Sequence, residues 1–100
     1  MKVNILMISA VETKPFGSSW NLPVKLFSTE GLAVNHIEEE FPNAIDITER
    51  LKEQMPWKDD INRTFFAEVP KYDSDGQWDY STEYTMVIME SEVQGSTLVI

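Results

Sequence analysis

His36 and Glu40 stand four residues apart in the stretch NHIEEEFPNAIDITERLKEQ, residues 35–54, with Glu38 and Glu39 between them. On a helix that spacing places an imidazole and a carboxylate on one face, the beginning of a metal site or of an acid/base pair. A catalytic zinc takes three protein ligands, and the chain has one histidine, no cysteine and no HExxH pattern. The stretch therefore reads as the wet side of helical structure, and no metal or cofactor is expected there.

The segment KYDSDGQWDYSTE, residues 71–83, invites comparison with a calcium loop. With Gly76 at the sixth position, Asp73 and Asp75 fall at the third and fifth, but Lys71 stands first and Thr82 twelfth, with Glu83 one residue late. Asp-Gly between strand-like runs is instead a hairpin signal, so Asp73 to Gly76 is expected to be a turn with at most weak calcium binding.

Enzyme chemistry finds little purchase elsewhere. A serine or threonine nucleophile needs a base, and only His36 or a lysine is on offer, with no G-x-S-x-G elbow. Gly17, Gly31, Gly76 and Gly95 are isolated, which excludes the Walker A and dinucleotide fingerprints. Carboxylates for glycoside hydrolysis are plentiful, yet a cleft of that kind is seldom built in 100 residues. No catalytic residue is assigned, and a non-enzymatic protein is expected.

What the acids can do together is imitate phosphates. The chain carries 17 acids against 8 bases, a net charge of −9, and residues 34–100 hold the whole excess. Such a field repels nucleic acid and anionic membranes and favours basic partners. The candidates are Glu38, Glu39, Glu40, Asp46, Glu49 and Glu53 on the helical segment, then Asp59 and Asp60, then Asp73, Asp75, Asp79 and Glu83 on the hairpin. DNA carries one charge per about 1.7 Å of axis, whereas helix neighbours lie about 5 to 6 Å apart, so acids from several elements must combine to match it. Trp57 and Trp78, lying among those acids, would supply the aromatic anchors that protein interfaces favour.

The elements that must position these residues follow from periodicity. Residues 2–10 are apolar on both alternating sets, the pattern of a central strand covered on both faces. ETKPFGSSWN is a loop in which Phe16 and Trp20 are expected to cap one end of the core, and LPVKLF follows as a short strand whose Pro23 marks an edge. Asn35 and Glu38 have capping-box spacing before Ile37 and Phe41, predicting a short helix that ends at Pro42. Asp46 and Glu49 repeat the spacing, and Ile47, Leu51 and Met55 form a second helix's apolar stripe ending at Pro56. INRTFFAEVPKY and QWDYSTEYTMVIMESEV form a hairpin about DSDG, with one face covered and one partly wet. Gln94-Gly95 then turns the chain into STLVI, expected to pair within the sheet.

The expected fold is a single α+β domain over residues 1–100: a mainly antiparallel sheet of four to five strands with two short helices packed on one face. One hundred residues with 42% apolar content suffice for one core without disulfides. The amino terminus lacks a signal-peptide h-region, no apolar run approaches a membrane span, and the absence of cysteine suits the cytoplasm. The leading functional expectation is a cytoplasmic inhibitor or regulator of a basic nucleic-acid-binding protein, a DNA mimic of the kind phages and mobile elements make. Two alternatives are a self-assembling subunit, a homodimer joined through STLVI or the Pro23 edge, and a small ligand binder built around the Trp20 loop.

Overall fold

A computed structural model describes residues 2–92. The Gln94-Gly95 turn and the strand expected in STLVI lie outside the described residues. In chain order the elements are β1 (Lys2–Glu12), β2 (Ser19–Asn21), β3 (Lys25–Phe27), α1 (Glu30–Glu40), β4 (Ile45–Asp46), α2 (Thr48–Gln54), β5 (Arg63–Tyr72) and β6 (Trp78–Glu92). The described strands form one six-stranded antiparallel sheet in the order β2-β1-β6-β5-β4, with β3 also paired to β1. The class is the expected mixture of antiparallel sheet and two helices, with more strands than the sequence announces. β2 and β4 are three and two residues long, too short to leave an alternation signal.

Cross-strand register decides what each face holds. Leu6 lies opposite Ile88, Ile8 opposite Met86, and Phe65 opposite Met86 from the other side. These residues, with Ala67, share one face, and α1 lays the fully buried Ala33 and Ile37 against them. Leu22, Phe27, Val34, Phe41, Ala44 and Tyr84 complete the layer.

The other face of β1 and β6 carries the odd-numbered partners of the same register, with Val3, Ile5, Met7, Val11, Val87 and Met89 interspersed with Ser9, Glu83, Thr85 and Ser91. Here the expectation that β1 is covered on both faces fails: Met7 is 38% and Val11 43% exposed. The reason is that α1 occupies only the first face, and α2 approaches β5 alone. Apolar residues on both sides of a strand report that both sides can be buried, not that another element among the described residues buries them.

The helices start elsewhere than the capping-box spacing suggests. Thr29 is the N-cap of α1, its Oγ1 accepting from Leu32 N–H at 3.2 Å, so Asn35 lies inside the helix. Pro42 follows the end as expected, with Phe41 N–H bonded to Ile37 O. In α2 the N-cap position is Ile47, which makes no side-chain cap bond. Asp46 acts one residue earlier, accepting from Thr48 N–H at 3.0 Å and Thr48 Oγ1–H at 2.6 Å. Thr48 Oγ1 in turn accepts from Thr64 N–H at 2.9 Å, which ties the start of α2 to the edge of β5. Pro23 falls between β2 and β3, the edge position foreseen, and splits the segment beside β1 into two short strands.

Candidate functional site

The acids divide among three places. Glu38, Glu39 and Glu40 close α1, and the last turn holds no basic residue. A helix C-terminus carries the negative end of the backbone dipole, so carboxylates there cost stability where lysines would add it. Two of the three make no ion pair among the described residues. Glu40 alone approaches a basic side chain, the His36 imidazole, with Nε2 at 3.9 Å. His36 also lies against the Phe27 ring, with centroids 5.5 Å apart.

A second group follows α2. Glu49 is matched by Lys52 at 3.3 Å, while the exposed Glu53, Asp59 and Asp60 have no ion pair among the described residues. Between them Trp57 holds its indole 76% exposed. Asp46 belongs to a structural cluster instead: Arg63 Nε donates to its Oδ2 at 3.0 Å, and Arg63 Nη1 donates to Glu30 Oε1 at 2.6 Å. Partial burial pushes the Asp46 carboxyl up, but the hydrogen bonds from Thr48 and Arg63 outweigh it and hold the group below its ordinary value. The Glu30 hydrogen bond, joined by Asp46, raises Arg63 further above its already basic range. Asp46 thus joins β4, α2 and β5 and is the candidate least available to a partner.

The third group lies at the far end of β5, on the hairpin tip. Asp73 Oδ1 accepts the N–H groups of Asp75 and Gln77, both at 2.9 Å, and Gly76 takes a φ of 78°, so this acid builds the turn. Asp75 and Asp79 are exposed, and Glu83 stands opposite Glu68. Trp78 is 60% exposed yet held: its Nε1–H donates to Ser81 Oγ at 3.1 Å, and Ser81 Oγ–H donates to Glu68 Oε1 at 2.8 Å. The hairpin group and the α2 group flank the ten residues of β5, about 30 Å of strand, so they present two separate acidic and aromatic surfaces.

No group of three or more His, Asp or Glu residues among the described residues is arranged to hold a metal ion. Two concave features stand out among the described residues. A cleft of about 220 Å³ between α1 and the β2–β3 edge is lined by Ile8, Leu22, Pro23, Lys25, His36, Glu40 and Phe41. Ligand pockets of ordinary size run from about 300 to 1,000 Å³ and bury most of their ligand. The larger depression, about 320 Å³, opens on the uncovered sheet face beside Ser9, Val11 and Thr85.

Two features escaped the sequence. Phe16, expected to cap the core, is fully exposed at the tip of the β1–β2 hairpin, and Trp20 lies within β2 with 41% of its surface open. Pro15 and Phe16 are the central residues of a turn closed by Gly17 N–H to Lys14 O at 2.9 Å, with Phe16 at a φ of 57°. That left-handed conformation is costly for an aromatic residue and ordinarily falls to glycine. The neighbouring Gly17 is fixed by a different need: a Cβ there would stand 2.6 Å from Glu12 O. Glu12 Oε1 accepts from Ser18 N–H at 2.8 Å, the bond chiefly responsible for holding its carboxyl below the ordinary value. The second missed feature is the bare sheet face, because alternation cannot say what lies opposite.

No helix among the described residues is long and apolar enough to cross a membrane. Comparison of the chain with protein families, with characterised proteins and with solved structures finds no match to any of them.

Proposed function

We propose that the chain is a small non-enzymatic binding protein that inhibits or regulates a basic, nucleic-acid-handling protein by presenting carboxylates where that protein receives phosphates. The observation that carries this reading is the end of α1. Glu38, Glu39 and Glu40 are exposed and sit where the helix dipole opposes them, with no base in the last turn. An acid placed merely for solubility would be as useful at the other end of the helix, where the dipole favours it. Charges kept at a cost to the helix are the mark of a surface shaped for something outside it.

Trp57 adds to this. An indole 76% exposed beside Glu53, Asp59 and Asp60 combines the long-range steering of negative charge with the buried area that holds a complex together. On this reading Glu38 to Glu40 and the Trp57 loop are the principal contacts, Asp75, Asp79 and Trp78 form a separate region, and Asp46 and Asp73 serve the fold.

The test is capture of the partner from cytoplasmic lysate by the wild-type chain and by the variant carrying Glu38→Lys, Glu39→Lys and Glu40→Lys. The variant is expected to lose the partner while keeping its circular dichroism spectrum. Undiminished capture by the folded variant would sink the assignment of α1 to the contact.

A further inference from the structure

We propose that the bare face of the sheet is an interface between two copies of this chain, packed sheet against sheet. Leu26, Ile5 and Met89 form one continuous apolar row across β3, β1 and β6, and Met7 and Val87 form the next. Leu26 is 53% exposed, and Met7 and Met89 are each more than a third exposed. Neither row contains a charge, in a chain whose net charge is −9.

Charge chooses the occupant. A basic partner is drawn to the carboxylates of α1, α2 and the hairpin rather than to an uncharged apolar face. A second copy, equally negative, is repelled by every acidic part of the surface and can approach closely only where the charge is missing. The face also has the area. Four strands about 4.8 Å apart, followed for about eight residues at about 3.3 Å each, span roughly 500 Å². Two such faces brought together cover about 1,000 Å², where specific interfaces begin.

The remaining charges set the orientation. Glu68 and Glu83 are opposite each other on this face, toward the hairpin end. A two-fold axis lying in the interface and perpendicular to the strands carries the two glutamate pairs to opposite ends, each over the Val3 end of the other copy. An axis along the strands would stack them on one another. The first arrangement is the one expected, with Met7 and Val87 near the axis and the two sheets about 10 Å apart.

Sedimentation equilibrium of the full chain, from micromolar to millimolar concentration and from low to high salt, tests this. The expected result is a dimer that tightens as salt rises, because screening removes the repulsion between two copies of charge −9. Basic-partner binding has the opposite salt dependence, so one can fail without the other. Met7→Lys is expected to weaken the dimer by about 100-fold or more through a buried unpaired charge, with an unchanged circular dichroism spectrum, while Leu32→Lys on the exposed side of α1 leaves it intact. Should Met7→Lys fail to fold, Val87→Thr gives the same reading through a smaller loss. A wild-type chain that stays monomeric throughout overturns the proposal. A dimer indifferent to these substitutions overturns it as well.

Discussion

Replacing Glu38, Glu39 and Glu40 together by lysine should make the protein more stable while abolishing its binding to a basic partner. All three lie in the last turn of α1, where the peptide carbonyls carry the negative end of the dipole and no cation balances them. A charge near a helix end is worth about 0.3 to 1 kcal/mol when exposed, and the substitution exchanges an unfavourable charge for a favourable one at each position. Glu and Lys have nearly equal helix propensity, so the backbone preference does not change. Against the gain stands the contact of Glu40 with His36, whose 3.9 Å separation and exposed carboxylate make it worth no more than a few tenths of a kcal/mol. Each reversal therefore swings about 0.6 to 2 kcal/mol, and the three together add at most about 2 to 6 kcal/mol of stability at low ionic strength, diminishing with salt, with Tm rising about 4 to 8 °C per kcal/mol for a chain this size. Urea titrations at two salt concentrations measure it directly. A variant less stable than wild type at low salt would show that these carboxylates support the fold, and the reasoning from misplaced charge would fail.

Three further outcomes follow from the same geometry. Thr48→Val keeps the shape of a nearly buried side chain but leaves Thr64 N–H without its acceptor, and should cost about 1 to 3 kcal/mol in urea unfolding, with Thr48→Ser close to wild type; equal stability of the valine variant would count against that bond. Phe16→Gly removes a fully exposed ring from a left-handed position and should stabilise by about 1 kcal/mol or less, whereas a clear destabilisation would mean the ring is packed in solution. The lowered pKa of Asp46 contributes stability that is complete above its ordinary value of 3.8 and is lost as pH falls through the lower folded value. Asp46→Asn should therefore flatten the acid limb of a stability–pH curve, and an unchanged limb would contradict the assignment.

The hairpin was legible because two independent signals agreed: Asp-Gly at 75–76 demanded a turn, and Thr82 to Met89 alternated in a pattern that fits the observed register. The start of α1 was not. Gly31 in the first turn disguised it, and the Thr29 cap lacks the glutamate three residues on that would have announced it, while Asn35 and Glu38 offered that pattern inside the helix. β4 is two residues long and survives because Ile45 and Asp46 pair with Phe66 and Phe65, a contact made at a distance in sequence. Acid candidates could be enumerated but not sorted, since only the fold shows that Asp46 is committed to Arg63 and Asp73 to its own turn. The exposure of Trp57 and Phe16 was equally hidden, because an aromatic in a loop reads the same whether it caps a core or faces water.

If the acids of this surface replace phosphates in a basic partner, capture from lysate will reveal that partner. Immobilised wild-type chain is exposed to cytoplasmic lysate at low salt, then eluted in parallel with high salt and with duplex DNA, and the eluates are identified by mass spectrometry. The expected result is a nucleic-acid-binding protein released by both. A partner that resists salt and ignores DNA, or an eluate containing no nucleic-acid-handling protein, would contradict it.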